Sequence, residues 1–218
     1  MDIQRLCLTL IFTVSALICF SRNADTLNIE KIPYNLKFSY NSSLIYPGAS
    51  SGVEYPFQRI NVTKFLKTGK KKSFIKDRFI TANLNGYHHP YFHDNLYLTV
   101  GWTMRRTKSS GFFTEFSPEI GLSRTFLGGT TYKVDDNGNV SVRKLAGYYY
   151  TLVSVGGGIG YDFSKTTSKP YMVFSKFNVL TMFPYNSTIY LRPVIEIGMI
   201  CKLSCFRSLK VKSKTKNK

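Results

Sequence analysis

The sequence predicts an all-β protein, an eight-stranded antiparallel transmembrane β-barrel of outer-membrane type behind an N-terminal signal peptide. Three observations predict it. Beyond residue 30, apolar and polar residues alternate with a period of two, and helical periodicity is almost absent. The alternating runs number eight, and turn residues separate them. Charges fall on the opposite parity from the bulky apolar residues, the pattern of a wall with lipid outside and a polar lumen inside.

The first element is for targeting. Asp2 and Arg5 precede an uncharged run from Leu6 to Phe20, too short to span a bilayer and of the length of a signal-peptide core. Small residues at Cys19 and Ser21 place the cut after Ser21, with a cut after Ala24 as the alternative. Residues 1–21 are thus the signal peptide, 22–33 a periplasmic segment, 34–203 the barrel and 204–218 a basic C-terminal tail. No run reaches the 18 or more apolar residues of a spanning helix, which excludes a polytopic helical membrane protein.

The strands are expected near 34–46, 52–63, 75–88, 95–107, 111–127, 148–163, 170–182 and 187–203. In the first, Leu36, Phe38 and Tyr40 alternate with Lys37, Ser39 and Asn41, and in the second Val53, Tyr55 and Phe57 alternate with Glu54 and Gln58. The third, 75–88, is rougher. In the fourth, Leu96, Leu98, Val100, Trp102 and Met104 oppose Thr99, Thr103 and Arg105. Phe116, Pro118, Ile120 and Leu122 oppose Glu115, Ser117 and Glu119 in the fifth, and Val153, Val155 and Ile159 oppose Ser154, Gly156, Gly158 and Gly160 in the sixth. The seventh, 170–182, is again rougher. The last is the clearest: Ile189, Leu191, Pro193, Ile195, Ile197, Met199, Cys201 and Leu203 share one parity, against Arg192, Glu196 and Lys202 on the other. An even number of strands closes without an edge and puts both termini at the same end. With that end in the periplasm, the longest connection, 128–147, is an extracellular hairpin whose Asn137-Gly138 pair is the turn. Aromatics near strand ends (Tyr46, Tyr87, Tyr91, Phe92, Tyr148, Tyr149, Tyr171, Phe183, Tyr190) are expected in interfacial girdles.

The chain of 218 residues is 43% hydrophobic and 15% aromatic, with 30 Lys+Arg against 12 Asp+Glu and a net charge of +18. Such a charge points to nucleic acid or anionic lipid. Seven bases lie in 64–78 and six in 207–218, all at or beyond the periplasmic strand ends, where anionic headgroups attract cations. A nucleic-acid interface would need stacking aromatics among its bases, whereas here the aromatics share the apolar parity, so nucleic acid is not an expected partner. Cys201 and Cys205 lack the spacing of a zinc site or a disulfide framework.

The inward parity collects Glu115, Glu119 and Glu196 with Arg105, Lys176 and Arg192. Counted from a turn near 185, Lys176 falls opposite Val194, between Arg192 and Glu196. In a narrow barrel such a cluster is expected to plug the lumen, the competing reading being an ion path or a carboxylate catalyst. His88, His89 and His93 share an outer loop, but neighbours in a strand point to opposite faces, so no metal site is expected. Asp135, Asn137 and Asn139 have calcium-loop spacing without its glycine or its closing glutamate. Gly156 to Gly160 lack the Lys-Ser/Thr and the helix of a phosphate loop, and fit a strand bending past crowded side chains.

The segments KFSYNSSLIYPG (37–48), YHHPYFHDNLYLTVGWTMRRT (87–107), GLSRTFLGGTTYKVDDNGNV (121–140) and FPYNSTIYLRPVIEIG (183–198) resemble small outer-membrane β-barrel proteins of Bacteroidetes-type bacteria. The resemblance covers roughly residues 30–203. It implies an eight-stranded barrel in the outer membrane of a Gram-negative cell and insertion by the outer-membrane assembly machinery. It implies no catalytic residue and no cofactor. The basic tail after the last strand departs from the apolar or aromatic ending common in such barrels.

The expected role is non-enzymatic: an integral barrel that stabilises the envelope, or presents the 128–147 hairpin to a protein partner. Its partners are outer-membrane lipids and lipopolysaccharide, the latter through Arg124, Arg143 and Lys144. The alternatives are a lipid A-modifying enzyme using His88, His89 and Ser51 near Glu54 at the outer rim, and a small porin-like pore.

Overall fold

The computed structural model describes residues 27–43, 46–65, 67, 71–90, 92–185 and 188–217, so the expected signal peptide lies outside the described residues. The chain is all-β. The strands are β1 (Leu27–Ser43), β2 (Tyr46–Phe65), β3 (Lys71–His89), β4 (His93–Lys108), β5 (Phe112–Leu127), β6 (Tyr132–Val134), β7 (Val140–Val142), β8 (Tyr149–Asp162), β9 (Tyr171–Tyr185) and β10 (Thr188–Asn217). A short 3-10 turn, Phe163–Lys165, follows β8.

Eight strands form one sheet in which each pairs antiparallel with its neighbour along the chain, and β1 pairs antiparallel with β10 to close a ring. β6 and β7 pair separately as the hairpin expected within 128–147. At its tip the Gly138 amide donates to the Asp135 carbonyl, and Gly138 sits at φ +81°, which an L-residue with a Cβ adopts only at a cost.

The period of two decides which residues face in. On β4, Leu96, Leu98, Val100 and Trp102 are exposed, whereas Asn95, Tyr97, Thr99, Thr103 and Arg105 are buried. On β5, Ile120 and Leu122 are 66% and 67% exposed while Glu115, Ser117 and Glu119 are buried. The exterior is an apolar belt, and the interior holds the charges. The interior is not polar throughout, however. Phe113, Met172, Phe174 and Ile200 make an apolar layer toward the end that carries the termini. Tyr87, Tyr97, Tyr150, Leu152, Leu180, Met182 and Val194 make a second toward the hairpin end, with Tyr46 and Tyr190 against it. A ring of eight strands is narrow, so inward side chains must fill it, and apolar ones do so at both ends.

Several expectations are corrected. The last strand does not end at 203: β10 continues through Asn217, into the basic tail. Residues 206–212 pair with 27–33 of β1, part of the expected periplasmic segment, and 212–217 then run parallel to 60–65 of β2. Lys176 lies opposite Glu196, and Asn178 takes the place beside Val194. The register is two residues from the count: the first pair, Thr188↔Tyr185, is three off, and the irregularity between Thr188 and Tyr190 returns one. The aromatics divide. Phe92, Tyr148, Tyr149 and Phe183 are exposed, but Tyr87 is buried, because its parity is that of Asn83 and Asn85. Tyr91 lies outside the described residues.

The strand glycines serve close packing. A Cβ at Gly156 would collide with Lys176 and Asn178, and one at Gly160 with Phe113 and the Val173 carbonyl. Asn41 and Asn83 lie in the same way over their ladder partners Gly48 and Gly52.

Candidate functional site: the interior charge cluster

Neighbouring strands carry the charges to one level of the ring. Arg105 of β4 is 2% exposed and clamps two carboxylates. Its Nη1 and Nη2 donate to Glu54 of β2 at 2.9 and 2.6 Å, and its Nε and Nη2 to Glu115 of β5 at 3.1 and 2.9 Å. The guanidinium also sits 5.0 Å from the ring centroids of Phe79 and Phe113. Planar geometry lets one guanidinium satisfy two carboxylates, which an ammonium could not do in register.

Lys176 of β9 pairs with Glu119 of β5 at 3.3 Å, and Lys37 of β1 with Glu196 of β10 at 3.1 Å. Polar neighbours complete the shell: Thr99 and Asn83 donate to Glu119, and Ser39 and Asn178 to Glu196. Each carboxylate therefore has a cation, and Glu54 (from Asn35), Glu119 and Glu196 have further donors, the condition under which buried charge is tolerated. A cavity of about 20 Å³ remains among these groups, room for about one water. Nearer the termini, a larger cavity of about 190 Å³ lies among Arg59, Asp77, Asp162 and Lys202.

Five of the six residues expected in the lumen cluster, Arg105, Glu115, Glu119, Lys176 and Glu196, meet in this network. Arg192 is buried but stands apart, its guanidinium 3.4 Å from the Tyr87 ring centroid and 5.8 Å from that of Tyr46. Sequence reasoning left out Lys37 and placed Glu54 at the outer rim. The signal was available, since Glu54 has the polar parity between Val53 and Tyr55, and Lys37 that between Leu36 and Phe38.

The rim candidates are not brought together. Ser51 is exposed on the outward face and Glu54 is 2% exposed inside. His88 is exposed and bonded to Asp94 at 2.6 Å. His89 instead packs 4.1 Å from Tyr46, 4.8 Å from Phe92 and 5.0 Å from His93, ring centroid to centroid. Among the described residues, no group of three or more His, Cys, Asp and Glu side chains could hold a metal ion. Asp135, first of the calcium-like triplet, already accepts from the amides of Asn137 and Asn139 and from Asn139 Nδ2. Of the three bases assigned to lipopolysaccharide, Arg143 and Lys144 are exposed. Arg124 is half-buried, stacks on Phe126 and Tyr149, and donates to the Leu145 carbonyl at the hairpin base.

No protein-family model matches the chain, and no curated protein or solved structure is similar enough to count as a match.

Proposed function

We propose that the protein is an integral outer-membrane β-barrel of non-enzymatic role, supporting the envelope and presenting the 128–147 hairpin at the cell surface. One observation carries the reading: exterior and interior are reversed relative to a water-soluble protein. Leu98, Ile120, Leu122, Ile195 and Ile197 are more than half exposed, while Glu54, Arg105, Lys176 and Arg192 are at most 3% exposed. Soluble monomers rarely expose contiguous apolar patches beyond a few hundred Å². On β10 the outward apolar run from Ile189 to Met199 covers eleven residues, the length a tilted strand needs to cross a bilayer.

The belt's lower border favours an orientation. Lys72, Lys76 and Arg78 of β3 and Arg106 and Lys108 of β4 are exposed and continue the outward parity of Ile80 and Trp102. Arg106 and Lys64 lay their cations over Phe74, at 4.1 and 5.8 Å from its ring centroid. Long basic side chains cover apolar surface this way while their heads reach headgroups, each worth about 1 kcal/mol beside anionic lipid. The basic skirt thus supports an orientation with the termini in the periplasm and the hairpin outside. The filled interior speaks against a pore.

The test is SDS gel migration of the outer-membrane fraction, boiled and unboiled. A closed ring pairs its backbone all round and resists SDS until heated, so a heat-dependent shift in that fraction is expected. A single unshifted band in the soluble fraction would refute the assignment.

A further inference from the structure

The buried carboxylates each have a cation: Glu54 and Glu115 share Arg105, Glu119 has Lys176, Glu196 has Lys37, Asp77 has Arg59, and Asp162 has Lys202. Arg192 belongs to none of these pairs. It is 1% exposed, and its Nε, Nη1 and Nη2 meet no hydrogen-bond acceptor among the described residues. The rings of Tyr87 and Tyr46 attract its charge but leave the in-plane N–H donors unmet.

A second orphan stands on the strand next to Tyr87. Asn95, 3% exposed, faces Tyr87 across the β3–β4 ladder. Its Oδ1 accepts from the Ser123 hydroxyl, and its Nδ2 has no acceptor among the described residues. The unmatched oxygens of Asn41 and Asn83 cannot serve, because they lie over Gly48 and Gly52. Around Tyr87 there is thus a full positive charge and four buried donor nitrogens that meet no acceptor among the described residues.

We propose that Arg192, together with Asn95, is a receptor for a small free oxyanion such as inorganic phosphate. A guanidinium offers two parallel N–H bonds to a pair of oxygens, a geometry a spherical halide cannot use. The burial of Arg192 leaves no place for a lipid headgroup, so the anion enters free. Its cover is the ring cluster of Tyr46, His89, Phe92 and His93 at the hairpin end. The proposal rests on the outer-membrane reading only for the side of entry.

The experiment uses the full mature chain purified from membranes into detergent, with arginine and asparagine labelled by ¹⁵N. Sodium phosphate is titrated against sodium chloride at constant ionic strength, and the arginine Nε–Hε resonances are followed. One resonance should shift saturably with phosphate and not with chloride, and the shift should vanish in Arg192→Met. Arg192→Lys, which keeps the charge without the fork, should need at least tenfold more phosphate, read from the Asn95 side-chain amide. Lipid A in mixed micelles, carrying the same chemistry on an anchor, should leave the resonance unmoved. The proposal is overturned if phosphate gives no saturable shift, if the shift persists in Arg192→Met, or if anchored phosphate produces it as well. Should Arg192→Met fail to fold, Arg192→Lys and Asn95→Ala decide, and an unchanged half-saturation in both overturns the proposal. The heat-dependent gel shift is read on the same preparation, so a failed titration with that shift intact counts against the receptor alone.

Discussion

Replacing Arg105 with Met is the sharpest probe of the interior. Arg105 makes four charge-assisted bonds between 2.6 and 3.1 Å, two to Glu54 and two to Glu115. At about 1.5–3 kcal/mol each, these would sum to roughly 6–12 kcal/mol. That sum overstates the loss, because removing the guanidinium also removes the cost of burying it. Breaking a buried pair by deleting one partner costs about 3–5 kcal/mol, mostly from the charge left behind, and here two carboxylates are left. The upper half of that range is expected. Met fills the space between Phe79 and Phe113, so a cavity contributes little. The assay is urea unfolding in detergent, followed by the heat-dependent gel shift. With a slope of about 2 kcal/mol/M, the midpoint should fall by roughly 2 M. The triple variant with Glu54→Gln and Glu115→Gln should recover most of the loss, since no orphaned charge remains. An Arg105→Met midpoint within about 0.3 M of the parent, or no recovery in the triple variant, would refute the view that this cluster is a mutually satisfied plug.

Other outcomes test other parts of the structure. Gly160→Ala drives a Cβ into the buried Phe113 ring and should destabilise by about 1–3 kcal/mol in the same assay; an unchanged midpoint would mean Phe113 has room to move. Stopping the chain after Phe206 removes the ladder of 212–217 with β2 but keeps the pairs from Asn35↔Lys202 to Ser42↔Ile195. The ring should persist with a lower unfolding midpoint, and an unshifted midpoint would show that the extension adds nothing. The bond from the Asn139 side chain, with those from the Asn139 and Asn137 amides, holds the Asp135 carboxyl below its ordinary 3.8. A depressed carboxylate stabilises the folded tip fully above its unfolded value and loses that contribution as pH falls through the lowered one. The protection factor of the Asn139 amide, its intrinsic rate divided by its observed rate at the same pH, should therefore fall below pH 3.8 in the parent and stay level in Asp135→Asn; equal pH profiles would sink the assignment. Neutralising Arg124, Arg143 and Lys144 together should weaken lipopolysaccharide retention in low salt. Retention unchanged there would remove the contact, and Arg124→Gln alone should disturb the hairpin base, where Arg124 bonds the Leu145 carbonyl.

The interior was legible in the sequence wherever parity alone decides. Glu115, Glu119, Glu196, Arg105 and Lys176 stand out because each interrupts an apolar alternation, and a strand can only send them to the other face. The partners of Arg105 were not legible. Glu54 and Glu115 reach it from strands on both sides, and Lys37 meets Glu196 only because the first strand pairs with the last. The isolation of Arg192 has the same origin, since its surroundings are Tyr46 and Tyr87, far away in the chain.

The amino-acid sequence by itself determined the strands, their two faces and the hairpin, because a period of two and an Asn-Gly turn are properties of a few consecutive residues. Only the tertiary structure decided the closure of β1 on β10, the Lys176–Glu196 register, the parallel run of 212–217 beside β2, and the two apolar layers packed inside the ring. Those depend on which strands meet and at what offset. Turn length and the space inside a narrow ring set that offset, and neither is written in any single strand.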